Sequence, residues 1–154
     1  MIGKAEITTE RKRGLDGLTS EELRLSRLGW WDEPFTQFLL RWIPRGALVD
    51  VGCGLATAAH ALLPSLSDTT YLGIDADENR LHEAEKLLAG TPYVGRVRLR
   101  RGRAEQLPCS DGDADIVLSS MTLQHVADVG AARSEVKRVL RATGRLVAVE
   151  PDNL

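Results

Sequence analysis

The sequence lacks most of the marks of a specialised class. It has only two cysteines, Cys53 and Cys109, in 154 residues. Two cysteines so far apart do not make a disulfide framework, and Cys53, inside a glycine-rich turn, reads as a small reduced residue. The three histidines, His60, His82 and His125, share no metal-ligand spacing with one another or with the cysteines, so no metal is expected. No stretch approaches the roughly 18 apolar residues needed to span a bilayer. Met1 to Arg13 lack the apolar centre of a signal peptide. The formal net charge of -2 gives no global attraction to nucleic acid or membrane. There is no internal repeat and no low-complexity segment. What remains is an ordinary globular protein, expected in the cytoplasm, with neither nucleic acid nor membrane as a partner.

The charged fraction of 27% and hydrophobic fraction of 43% fit one domain with its own core. Residues 1–18 are polar, with Gly14 and Gly17, and read as a flexible leader; 19–154 read as the domain. Thr19-Ser20-Glu21-Glu22 forms a capping box, so a short helix is expected to about Leu28. A second is expected from about Glu33 to Ile43, with Pro34 in its first turn and Pro44 ending it. Trp30, Trp31, Phe35, Phe38 and Trp42 gather here. They suit a helix packed on a sheet, and equally a lid over a ligand.

From Ala47 the pattern alternates. Short apolar strands are expected at 47–51, 70–75, 94–100, 114–119 and 145–150. Helices are expected at 56–63, 78–89 and 128–141, the last ended by Gly144. Alternating strands and helices imply parallel pairing through right-handed crossovers. The fold class is therefore α/β, an open, mostly parallel Rossmann-like sheet with helices on both faces. Its ligand belongs at the carboxyl ends of the strands, near the switch in strand order.

The sharpest local signal is Val49-Asp50-Val51-Gly52-Cys53-Gly54, a strand running into a turn with alternate glycines. Glycine there permits positive φ and close approach of a ligand to the backbone. About 20 residues later a second strand ends in Asp75, where a carboxylate can accept from both ribose hydroxyls of an adenosine. Asp77 is better placed than Asp75 to cap the helix that follows.

Five segments in register now resemble one family. Asp50-Val51-Gly52-Cys53-Gly54-Leu55-Ala56 resembles the first motif of class I S-adenosylmethionine-dependent methyltransferases, D-x-G-C-G-x-G. Tyr71-Leu72-Gly73-Ile74-Asp75 resembles the second. Gly102 to Pro108 resembles G-D-A-E-x-L-P, Asp113 to Val126 the fourth strand and its loop, and Glu135 to Val147 the fifth-strand unit. The small-molecule branch that includes quinone-biosynthesis methyltransferases is the most similar. The resemblance implies S-adenosylmethionine as cofactor, S-adenosylhomocysteine as product and a small-molecule methyl acceptor. It implies that Asp50, Gly52, Cys53 and Gly54 surround the methionine part and that Asp75 holds the ribose. Ala76 would lie against the adenine, Ala104 and Glu105 would border its edge, and Ser119 and Met121 would flank the sulfonium.

Three positions depart from the family pattern. Ala56 replaces a third glycine and would narrow the pocket. Arg103 replaces an aspartate that accepts from the adenine amino group, and arginine has no acceptor; Glu105 would take over, or cofactor affinity would fall, or Arg103 would point to solvent. Leu154 follows directly on strand five, where the family continues into a helix and an antiparallel strand pair. The expectation is therefore either a domain truncated after strand five, as a piece of a longer chain, or an assembly in which a second copy (a homo-oligomer) or a partner covers the strand-five edge.

His125, near the pocket mouth, is the candidate base for an acceptor that must lose a proton; the alternative is local packing. Arg96, Arg98 and Arg100 form either a basic patch or a charged guard on a sheet edge. Methyl transfer to a small molecule leads the functional readings. A non-catalytic binding or assembly module is the alternative. A nicotinamide-dependent oxidoreductase is disfavoured, because Thr57 occupies the last glycine position of G-x-G-x-x-G.

Overall fold

Period-two alternation along each strand sends neighbouring side chains to opposite faces of a sheet, and five such strands form the centre of this fold. The computed structural model of the protein describes residues 31–150. The expected leader, the capping-box helix and Trp30 lie outside that range. The elements run α1 (Glu33–Leu40), β1 (Ala47–Val51), α2 (Thr57–Leu62), β2 (Thr70–Asp75), α3 (Glu78–Leu88), β3 (Val97–Arg101), β4 (Ala114–Ser120), α4 (Val129–Val139) and β5 (Leu140–Val149). The strand order is β3-β2-β1-β4-β5, with every pair parallel. The chain winds outward from β1 through β2 to β3, then crosses to β4 on the other side of β1. That reversal opens a crevice above the carboxyl ends of β1 and β4.

Two cores lie on the two faces of the sheet. On one, Leu39 of α1, Leu62 of α2 and Leu88 of α3 pack with Leu48, Tyr71 and Ile116. On the other, Val136 and Val139 of α4 pack with Val49, Val51 and Val117. Each fully buried leucine or isoleucine contributes on the order of 1.5–3 kcal/mol relative to exposure. Aspartates start three of the helices. Asp32 accepts from the Phe35 amide, Asp77 from those of Asn79 and Arg80, and Asp128 from that of Ala131. Asp77 thus does the capping, which leaves Asp75 for other work.

Three element boundaries differ from expectation by three residues or more. Helix α1 stops at Leu40 rather than Ile43. The third strand begins at Val97, because Val94–Arg96 coil into a 3₁₀ turn. Helix α4 gives way directly to β5 at Leu140, ahead of Gly144. Leu140 pairs with Ala114, but the next partner of β4, Ile116, pairs with Arg145. The intervening residues bulge out of register, and Gly144 lies in the slack. A side chain there would stand 2.9 Å from Leu140 Cδ2 and 3.1 Å from the Ala114 carbonyl oxygen.

Arg96, expected on the strand, serves a different purpose. Its Nη1 donates to the carbonyls of Leu66 (2.5 Å) and Thr69 (2.8 Å), and its Nη2 to that of Leu63 (3.1 Å). It thereby ties together three carbonyls of the turns that follow α2, two of which, Leu63 and Leu66, also accept a backbone amide at 3.3 Å. Arg98 and Arg100 are exposed on β3, an edge strand, where charge discourages pairing with another chain. Arg96→Met is expected to cost about 1.5 kcal/mol in urea unfolding, since charged hydrogen bonds to buried carbonyls are lost. A change below about 0.3 kcal/mol would remove that role.

Candidate functional site

The turn after β1 is built from positive-φ residues. Gly52 has φ 74° and Gly54 φ 54°. The amides of Gly52 and Cys53 both donate to the Ile74 carbonyl, at 2.7 and 3.0 Å, which ties the turn to β2. A Cβ on Gly52 would run into the Thr122 side chain. Ala56 is also left-handed (φ 55°), but it is fully buried in the core. Its methyl group therefore fills core space and does not narrow the cleft.

That cleft has a volume of about 420 Å³ and lies over the strand ends. Val51, Gly52, Ile74, Asp75 and Ala76 form its floor and one side. Gly102, Ala104 and Glu105 line it from the loop after β3, and Met121, Thr122 and His125 from the loop after β4. The volume lies within the roughly 300–1,000 Å³ of typical small-molecule and cofactor sites.

Asp75 is buried at the cleft floor, 8% exposed. Its Oδ2 accepts from the Gly54 amide (2.8 Å) and its Oδ1 from the Asp77 amide (2.9 Å). A carboxylate has about four acceptor positions. Two are used by the backbone, which fixes the group, and two are left.

Of the residues singled out from sequence, Gly52, Asp75, Ala76, Ala104, Glu105, Met121 and His125 meet around the cleft. Asp50, Cys53, Gly54 and Ser119 stand behind its surface. Asp50 is buried and accepts a very short hydrogen bond from the Tyr71 hydroxyl. Burial, and then the neighbouring Asp50 charge, push the Tyr71 phenol well above its usual range. Gly73 makes this contact feasible: a side chain there would lie 3.0 Å from the Tyr71 ring and 2.8 Å from Cys53 Sγ. Ser119 is 2% exposed, and its hydroxyl donates to Glu150 (3.2 Å).

Arg103 also lines the cleft, at its solvent-facing rim, and its Nε lies 3.5 Å from Glu105 Oε2. Glu105 Oε1 accepts from the Ala127 amide at 3.2 Å, joining the two loops that face each other across the cleft. Its own backbone N–H, helped by those of Ala127 and Asp128 and by Arg103, holds its carboxyl below the usual range despite partial desolvation. Met121 has φ 57°, an uncommon conformation for a side-chain-bearing residue, and its amide donates to the Val149 carbonyl (2.7 Å). His125 ends a 3₁₀ turn, its amide bonded to the Thr122 carbonyl (2.9 Å).

Tyr71, Thr122 and Glu150 were not legible as site residues. The one hint was a glycine two positions after a strand tyrosine, which leaves room for a ring. Among the described residues no cluster of three or more metal-ligating side chains occurs. Nor is any described helix long and apolar enough to cross a membrane.

A switch-point cleft with a glycine turn on one side and an acidic strand end on the other defines a Rossmann-like cofactor-binding domain. Residues 49–148 match the family described as "Methyltransferase domain", and the chain belongs to that family. It is 37% identical over 113 residues to an uncharacterized 37.1 kDa protein in transposon TN4556 of Streptomyces fradiae, covering 71% of this chain and 31% of that protein. It is 31% identical to a demethylmenaquinone methyltransferase of Desulfitobacterium hafniense, covering 70% and 43%. The crystal structure of YcgJ from Bacillus subtilis superposes with a TM-score of 0.67 at 28% identity, covering 75% of this chain and 49% of that one. The chain thus spans half the length or less of these relatives.

Proposed function

We propose that this chain is the cofactor-binding part of an S-adenosylmethionine-dependent methyltransferase that acts on a small molecule in the cytoplasm. The observation that carries this reading is Asp75. It is immobilised at the cleft floor by two backbone amides, with two acceptor positions left for a pair of ribose hydroxyls. The cleft volume and its apolar walls at Val51, Ile74, Ala76 and Ala104 suit an adenosine.

When bound, S-adenosylmethionine supplies a methyl group already activated on a sulfonium sulfur, and S-adenosylhomocysteine is left. The chain's task is to bind and orient. Gly52 lets the methionine part approach the backbone, with Asp50, Cys53 and Gly54 shaping that end from behind. Asp75 holds the ribose, Ala76 packs on the adenine, and Ala104 and Glu105 border its edge. Met121 flanks the sulfur end from the loop after β4, with Ser119, near the end of β4, supporting it from behind. His125 takes the proton of an acceptor whose attacking atom carries one.

We infer a planar or apolar acceptor, a choice supported by the name of the demethylmenaquinone relative. A partner or second copy covering β5 belongs to the same proposal. β5 is a sheet edge among the described residues, with Leu146 46% exposed.

Calorimetry with S-adenosylmethionine, S-adenosylhomocysteine and NAD tests the reading. Binding of both sulfur compounds at about micromolar Kd, with none for NAD, is expected. A folded protein that binds neither sulfur compound would sink it. Tight binding with no transfer to any acceptor is the outcome that the assembly-module alternative predicts.

A further inference from the structure

We infer that Glu150, at the carboxyl end of β5, is a positioning residue: its carboxylate sets the loop from Met121 to His125 that walls the cleft. A glutamate at the end of an edge strand ordinarily faces water. This one turns inward. Its Oε1 accepts from Ser119 Oγ (3.2 Å) and from the amides of Thr122 (3.1 Å) and Leu123 (3.0 Å). Its Oε2 is buried and has no hydrogen-bond partner among the described residues. Three donors therefore converge on one oxygen of a carboxylate whose other oxygen is withdrawn from water. Hydration cannot replace those donors at low cost.

The contact acts on the cleft through Thr122. The preceding residue, Met121, is tied to β5 by its amide on the Val149 carbonyl, so the last residue of β5 and the one after it together hold the loop. Thr122 Oγ1 donates to the Ser120 carbonyl (3.1 Å), and the same side chain occupies the space a Gly52 side chain would need. Moving the Thr122 backbone therefore moves the wall that faces the glycine turn. Met121 and His125 lie on the same short segment and line the same cleft. Glu150 does not line it, so its influence on a ligand runs through the loop.

The test compares wild type, Glu150→Ala, Glu150→Asp and Glu150→Gln. Hydrogen exchange of individual amides is followed by NMR, and S-adenosylhomocysteine affinity by calorimetry. Aspartate is one methylene shorter and is the second variant should alanine fail to fold. Glutamine keeps an acceptor oxygen in reach. In the alanine and aspartate variants the Thr122 and Leu123 amides are expected to exchange about tenfold faster or more, while Val117 in β4 is unchanged. Affinity is expected to fall about tenfold in the same two variants and to return to within about threefold of wild type in Glu150→Gln. A merely structural role would raise exchange at Val117 as much as in the loop, and that result overturns the proposal. So does unchanged exchange at Thr122 and Leu123, or a freed loop with unchanged affinity. The affinity arm rests on the methyltransferase reading. Absence of binding by wild type would count against that reading, while the exchange arm would still decide what Glu150 does.

Discussion

Asp75→Ala is expected to weaken S-adenosylmethionine binding by at least about 100-fold, because two hydrogen bonds to a charged group, each worth roughly 1.5–3 kcal/mol, are removed together. The loss has a second source. The Gly54 and Asp77 amides lose their acceptor, so the glycine turn is no longer pinned to the end of β2. Asp75→Asn keeps the side-chain shape but only one acceptor oxygen, so one of the two backbone amides is left facing an NH2 group. Both binding and the thermal midpoint should therefore lie between those of wild type and Asp75→Ala. The measurement is calorimetry at fixed ionic strength, with the upward midpoint shift at saturating S-adenosylhomocysteine as a second reading. An alanine variant that binds within threefold of wild type would show that the ribose lies elsewhere, and the proposed site would fall with it.

The second large effect concerns stability. Glu135 on α4 accepts from Arg138 at both oxygens (2.8 and 2.7 Å) and from the Leu107 amide (2.8 Å). Arg138 reaches on to the carbonyls of Cys109 (2.8 Å) and Leu107 (3.2 Å) and to Asp111 (2.8 Å). One turn of helix thus clamps the loop that carries Ala104 and Glu105. The hydrogen bonds from Arg138, with help from the Leu107 amide, hold the Glu135 carboxyl at about 2 against an ordinary 4.5. A carboxyl depressed in the fold stabilises it above the unfolded value and loses that contribution as pH falls through the folded one. Here the window runs from 4.5 down to about 2. Glu135→Gln is expected to cost about 2 kcal/mol in urea unfolding at pH 7, a figure reduced for the partial exposure of Arg138. The gap between variant and wild type should shrink by more than half at pH 3. A gap independent of pH would mean that packing, not the charge, supplies the stability.

Much of this was legible in the residues. β1 and β2 fall where expected because each is an apolar run stopped by a residue that cannot continue it, Gly52 in one case and Asp75 in the other. The start of β5 was hidden for the opposite reason. Leu140 suits the inner face of α4 and the first pair of β5 equally, and no breaker stands between them. Arg96 looked in phase with the strand, and only the carbonyls of the turns that follow α2, some 30 residues away, explain where it turns. The cleft residues could be named because glycine spacing and a strand-terminal acid are local patterns. Tyr71, Thr122 and Glu150 could not, since each acts across 21 to 70 residues of chain on a partner that no local pattern marks.

The glycines of the first two motifs carry a further lesson. A side chain at Gly52 would meet Thr122, and one at Gly73 would meet Leu99, Cys53 and Tyr71. Both constraints come from the protein's own neighbours and hold with the cleft empty or full. A descendant of this domain that had given up every ligand would still be held to these two glycines for as long as Thr122, Leu99, Tyr71 and Cys53 kept their places. Their presence is a record of how the β1–β2 corner packs, and the trace of an adenosine is to be sought instead in the two acceptor positions of Asp75 that the Gly54 and Asp77 amides leave over.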